Sequence, residues 1–246
     1  MVYQGGKNRL SKELSPIIQS YIDRGGYECY VEPFVGGANM IDKISCKEKH
    51  GYDTHKYLIA LLKYMQEFGE HLNPKELSDN ITREVYYDVK QNPNKYPDWY
   101  VGYVGFCCSY RAKWWGGYAK HNTGGGGRDG ILEKTNNIIK QSKSLTDIMF
   151  DCRSFEELDL YNSVIYCDPP YKNTTKYKTN KFDYDKYYDW CIEMSKKYRN
   201  NVVLMSEYSM PEDRFKCIWE HPLRVNLNHK DKTQNVKLEK LFIVRK

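Results

Sequence analysis

The sequence predicts an α/β protein: a mostly parallel sheet covered by helices, interrupted by a mostly helical insertion and closed by an antiparallel strand pair. Three observations lead there. Up to about residue 69, short apolar runs of strand length alternate with apolar groups at helical spacing. The same alternation resumes near residue 145. Between them, residues 70–144 hold helical stretches and a segment at 114–130 too rich in glycine for regular structure. The 246 residues suffice for one catalytic domain with a modest insertion. The chain therefore divides into a sheet-bearing part, 1–69 with 145–246, and an insertion at 70–144.

The elements follow in order. Leu10, Leu14, Ile17, Ile18 and Tyr21 recur at helical spacing, so residues 10–23 are expected to form an amphipathic helix, ended by Gly25 and Gly26. Cys29, Tyr30 and Val31 read as a short buried strand running into a glycine turn. A helix is expected from about Ala38, then a strand closing at Gly51, Tyr52 and Asp53. Residues 55–68 carry Leu58, Leu61, Leu62 and Met65 at helical spacing. Beyond the insertion, strands are expected at 147–151, 163–167 and 201–205, with a final pair at 215–219 and 240–244.

Composition narrows the function classes. Charged residues make up 28% and hydrophobic ones 40%, which suits a folded globular chain. No apolar run is long enough to span a bilayer, and the first ten residues lack the apolar core of a signal peptide, so a cytoplasmic protein is expected. Eight scattered cysteines without a C-x-x-C pair argue against a disulfide scaffold and against a metal site recognisable by spacing. A net charge of +6 permits a polyanionic partner. The 23 tyrosines supply rings able to stack on bases, although an AT-rich coding genome would also produce them.

Two motifs carry chemistry. The first is Glu32-Pro33-Phe34-Val35-Gly36-Gly37-Ala38-Asn39. Small residues after a buried strand let a cofactor approach the backbone closely, though an ordinary strand-to-helix turn has the same look. Asp53, at the end of the next strand, is placed either to accept hydrogen bonds from ribose hydroxyls or to cap the following helix. The second motif is Asp168-Pro169-Pro170-Tyr171 after the apolar run 163–167. It sets a carboxylate, a rigid carbonyl and a ring at the carboxyl end of a buried strand, the edge where open α/β sheets bind ligands. Such a group suits a flat heterocycle with an exocyclic amine.

These residues resemble the DNA adenine-N6 methyltransferases of the Dam type. Tyr3-Gln4-Gly5-Gly6-Lys7 is similar to that family's N-terminal aromatic-x-Gly-Gly-Lys segment, and the order of motifs is the same. Residues 105–118, with Trp114-Trp115-Gly116-Gly117-Tyr118, and Met205-Ser206-Glu207-Tyr208 look like a branch common in phages and low-GC bacteria. The glycine turn departs by one position, with Ala38 where the family has its last glycine.

The resemblance implies a Rossmann-like class I methyltransferase sheet and S-adenosylmethionine as cofactor, with no metal. It assigns Tyr3, Gly6, Lys7, Glu32, Phe34, Gly36, Asp53, Phe155 and Asp168 to the cofactor, with Asp151 or Ser154 as a further contact. Asp168, Pro169, Pro170 and Tyr171 are assigned to catalysis on an adenine flipped from duplex DNA. Tyr110, Arg111, Lys113, Trp115 and Arg128 of the insertion mix cations with rings and are candidates for DNA contact, although the tryptophans would equally serve the domain's own core. Lys172, Lys176, Lys178 and Lys181 follow the pocket directly, as a phosphate clamp or a solvated loop. A partner restriction endonuclease, a monomer or weak dimer, and phage origin complete what the resemblance suggests. Two rivals stay open: methylation of an amine in RNA or protein, and a DNA-binding protein without catalysis.

Overall fold

The computed structural model describes residues 1–120, 128–172, 182–197, 200–225 and 235–245. Its centre is a seven-stranded sheet. The strands are β1 (Cys29–Glu32), β2 (Glu48–Tyr52), β3 (Ile148–Asp151), β4 (Ser163–Cys167), β5 (Val202–Glu207), β6 (Phe215–Val225) and β7 (Asn235–Val244). They lie in the order β3-β2-β1-β4-β5-β7-β6. The first five are parallel, and β7 inserts antiparallel between β5 and β6. This is the Rossmann-like methyltransferase arrangement that the resemblance implied. The chain leaves β1 toward β2 on one side and returns through β4 on the other, so the carboxyl ends of β1 and β4 flank a topological switch point.

Strand β4 is buried on both faces, as a central parallel strand must be. Its alternate residues feed two cores. Val164 and Tyr166 join Leu14 and Ile18 of α1 (Ser11–Gly25) and Leu58, Leu61 and Met65 of α2 (Lys56–Phe68). Ile165 and Cys167 face Tyr187, Cys191 and Met194 of α7 (Tyr184–Lys197). Both α1 and α2 sit where the apolar spacing placed them. The C-terminal hairpin is longer than its apolar runs suggested, pairing from Phe215↔Val244 to Val225↔Asn235 around a bulge between Cys217 and Trp219.

Residues 70–144 form α3 (Pro74–Asp79), α4 (Arg83–Gln91), α5 (Asp98–Gly102), a π-helical turn at Tyr103–Cys107 and α6 (Gly130–Ser142). Their buried side chains, among them Tyr86, Val101, Tyr103 and Ile138, belong to the same core as α1 and α2. Close approach of α5 to α2 depends on Gly102, where a Cβ would stand 2.1 Å from the Tyr57 carbonyl oxygen. Among the described residues no helix is long and apolar enough to cross a membrane.

One expected element is absent. The helix from Ala38 is replaced by turns and a 3-10 turn at Ile41–Lys43. Ala38 adopts a left-handed conformation with φ 55°, which no right-handed helix can include.

Candidate active site

The carboxyl ends of β1, β2 and β4 converge with the N-terminal segment. Gly5 has φ 83° and the Gly6 amide donates to the Tyr3 carbonyl at 3.0 Å, which folds residues 3–6 into a turn. That turn lies on the glycine loop after β1. A Cβ on Gly37 would stand 2.7 Å from Tyr3 Cβ, and one on Gly6 2.7 Å from Asn39 Nδ2. Gly36 is left-handed at φ 49° under the Tyr3 ring, which also meets Phe106 at 5.5 Å. Ala38 holds the second left-handed position in this loop. The loop thus keeps the backbone path that a glycine would allow, at the steric cost of one methyl group.

Asp53 follows β2 and ties the two strand ends together. One carboxylate oxygen accepts the Gly36 amide at 3.2 Å and the other accepts the His55 amide at 2.9 Å. Burial pushes the Asp53 carboxyl above its ordinary value, against the opposing pull of those amides. The helix cap itself is His55, whose Nδ1 accepts the Leu58 amide at 3.3 Å. Phe34 packs on Phe155 at 5.5 Å and on Phe182 at 5.8 Å, so two of the expected cofactor residues share one aromatic cluster.

The second centre is electrostatic. Lys7 Nζ lies 2.7 Å from Asp168 Oδ1 and 3.4 Å from Glu239 Oε1. Burial alone would lower the Lys7 ammonium, but the carboxylates of Asp168 and Glu239 outweigh it and hold Lys7 above its ordinary value. The same ammonium sits 4.5 Å from the centre of the Tyr171 ring, and the Tyr171 hydroxyl donates to Glu239. Tyr208 meets Tyr171 edge-on at 4.8 Å. Behind Asp168, the Pro170 carbonyl accepts the Tyr184 hydroxyl at 2.8 Å, which fastens the double-proline turn to α7.

Buried acids surround this pair. Glu32 accepts the Tyr30 hydroxyl at 2.8 Å, and its carboxyl stands well above its ordinary value because it is buried. Glu207 accepts the Tyr208 amide at 2.9 Å and the Lys172 amide at 3.3 Å. Burial pushes it up to about 7, helped by the nearby charges of Glu239 and Asp168. Four acids, Glu32, Asp168, Glu207 and Glu239, thus stand around one lysine at this edge of the sheet.

The sequence matches the family of D12 class N6 adenine-specific DNA methyltransferases over residues 3–236. The chain belongs to that family. It is also 25% identical to the Type II methyltransferase M.MjaIII of Methanocaldococcus jannaschii, over 89% of this chain and 86% of that protein.

In this D12 methyltransferase, six of the nine residues expected at the cofactor fall into two adjoining groups. Tyr3, Gly6, Gly36 and Asp53 meet at the glycine loop, and Lys7 and Asp168 at the double proline. Asp151 is engaged by Arg153 at 2.8 Å, whereas Ser154 lines a cavity of about 380 Å³ with Thr54, Cys152, Arg153, Glu156 and Glu157. On the insertion, Tyr110 is 53% exposed, and Arg111, Lys113 and Arg128 are exposed as well. The tryptophans turn inward: Trp114 packs on His55 at 4.3 Å and Trp115 on Tyr86 at 5.3 Å. Left-handed backbone at Arg111, Ala112 and Trp115 concentrates strain in this one loop. Lys172 is described, but Lys176, Lys178 and Lys181 lie outside the described residues.

Sequence reading missed Glu239 and left Glu207 without a role. Glu207 carried a signal, in the Ser206-Glu207-Tyr208 motif. Glu239 stands in an apolar strand run as a residue that any exposed strand face would tolerate.

Proposed function

We propose that this methyltransferase moves a methyl group from S-adenosylmethionine to the N6 amine of an adenine flipped out of duplex DNA. The observation that carries this reading is the Lys7–Asp168 contact at 2.7 Å, which holds the carboxylate of the double-proline motif beside the glycine loop. The chain's residues fit the cofactor: a glycine loop without Cβ atoms at 36 and 37, a buried Asp53 at the next strand end, and the Asp168 carboxylate beside Lys7. Tyr3, Gly6, Lys7, Glu32, Phe34, Gly36, Asp53, Phe155 and Asp168 would hold it, with Ser154 in the adjoining cavity. When bound, it supplies an electrophilic methyl group on a sulfonium.

The adenine amine is a weak nucleophile because its lone pair is delocalised into the ring. Asp168, ion-paired to Lys7, accepts one N6–H, and the Pro169 carbonyl accepts the other. Two fixed acceptors favour a pyramidal nitrogen whose lone pair points at the methyl group. No strong base is needed before attack, since the amine proton becomes acidic only as the new bond forms. Tyr171 stacks on the extruded base, because an amine inside the duplex cannot reach this edge of the sheet.

Tyr110, Arg111, Lys113, Trp115 and Arg128 of the insertion, with Lys172, Lys176 and Lys178, form the DNA-contacting set in this reading. The exposure of the first three and of Arg128 supports it. For Trp115 the packing on Tyr86 favours a role in the insertion's own core, with its neighbours meeting DNA. The Type II name of the archaeal relative supports a place beside a restriction endonuclease in the cytoplasm. A monomer or weak dimer suffices, since one chain carries the whole site.

Methyl transfer onto equal amounts of duplex DNA and RNA of the same sequence tests the substrate class. The reading expects label in DNA adenine alone. Preferential labelling of RNA would replace it with the RNA-amine alternative.

A further inference from the structure

Strand β7 lies between β5 and β6, and among its described residues Glu239 is the one charged side chain that is fully buried. Glu239 is 2% exposed, while Leu241 and Phe242 beside it are 0% and 4% exposed. Burying a carboxylate is costly unless it meets a cation and hydrogen-bond donors. A leucine would complete this stretch of core at no such cost, so packing does not explain the acid. Its contacts do. Its side-chain partners among the described residues belong to the site: the Lys7 ammonium at 3.4 Å and the Tyr171 hydroxyl.

The geometry distributes the work. Lys7 has two carboxylates to satisfy, Asp168 at 2.7 Å and Glu239 at 3.4 Å, and it also sits over the Tyr171 ring. A long flexible ammonium with one partner can swing, whereas one held between two acids and a ring cannot move without losing a contact. The Tyr171 hydroxyl is tied to the same oxygen of Glu239, so ring and ammonium are set by one rigid strand rather than by the loop that follows Tyr171.

We infer that Glu239 is a positioning residue, which fixes the Lys7 ammonium and the Tyr171 ring so that Asp168 meets the target amine in a single orientation. The inference rests on the adenine-methylation reading. It assigns Glu239 no contact with substrate and no proton transfer. It predicts loss in the chemical step with binding retained, because misplacement of a reacting group by about 1 Å costs on the order of 100-fold in rate.

Single-turnover methyl transfer to adenine-containing duplex DNA tests this in Glu239→Ala, Glu239→Gln, Tyr171→Phe and the Glu239→Gln/Tyr171→Phe pair. Melting temperature and the affinities for DNA and S-adenosylmethionine are measured alongside. Glu239→Ala should slow transfer by about 100-fold. Glu239→Gln, which preserves shape and an acceptor for the Tyr171 hydroxyl, should recover part of that rate with a near wild-type melting temperature and unchanged affinities. The double variant should be faster than the product of the single losses predicts, since both changes cut one connection. A folded Glu239→Gln and Glu239→Ala with wild-type rates would overturn the inference and leave the reading intact. So would a rate loss matched by equal loss of cofactor and DNA affinity. A wild-type protein that leaves adenine unmethylated fails the reading itself, and this inference with it.

Discussion

Lys7 Nζ lies 2.7 Å from Asp168 Oδ1, joining the residue that follows the N-terminal turn to the loop after β4. Lys7→Met would leave Asp168 and the buried Glu239 without their cation. Removing one partner of a buried ion pair costs about 3 kcal/mol. Urea unfolding should register that loss, and methyl transfer should fall with it. Wild-type stability in Lys7→Met would mean the three groups are not coupled.

Asp53 bridges the glycine loop and the start of α2 through the Gly36 and His55 amides. Asp53→Ala should weaken S-adenosylmethionine binding by about one to two orders of magnitude in calorimetry, the scale of a lost charged hydrogen bond together with a loosened loop. Asp53→Asn, which retains an acceptor for one amide, should lose less. Wild-type affinity in the alanine variant would remove Asp53 from the cofactor site.

Ala38 occupies a left-handed position, with φ 55°, a backbone conformation that favours glycine. Ala38→Gly should therefore be neutral or raise stability by up to about 1 kcal/mol, since strain relief in the fold is partly offset by a freer unfolded chain. Cofactor affinity should hold. A marked drop in melting temperature would show that the methyl group packs rather than strains.

Glu207 is an acid whose folded-state value, about 7, lies above the ordinary 4.5 because it is buried. The folded protein then holds this proton more tightly than the unfolded chain does. Stability from this group is present at pH below 4.5 and is lost as pH rises from there through 7, by on the order of 3 kcal/mol in total. Melting temperature followed from pH 5 to 8 should show that decline in the wild type and a shallower one in Glu207→Gln. Identical slopes would place the titration elsewhere.

Much of the fold was legible because apolar spacing records burial directly. Leu58, Leu61 and Met65 marked α2, and the unbroken run 163–167 marked a central strand. The expected helix at Ala38 failed because a single left-handed residue, invisible to periodicity, redirects the chain. The candidate site was legible where its residues sit in one contiguous motif, as at Asp168–Tyr171. It was not legible where the fold assembles distant residues. Glu239 reaches Lys7 and Tyr171 only through the antiparallel insertion of β7, which local sequence does not encode. The paired tryptophans were open to either reading, since rings beside cations suit DNA and equally suit a core; in the fold Trp114 and Trp115 pack on His55 and Tyr86.

The most direct test is mass-spectrometric quantification of N6-methyladenine in duplex DNA after incubation with S-adenosylmethionine and either the wild type or Asp168→Ala. Asp168 stands at the start of a loop, partly exposed, so its removal should leave the fold and much of the DNA affinity intact. The account predicts N6-methyladenine with the wild type and none above background with a folded Asp168→Ala. Near wild-type methylation by that variant, or no methyladenine from the wild type, would contradict it.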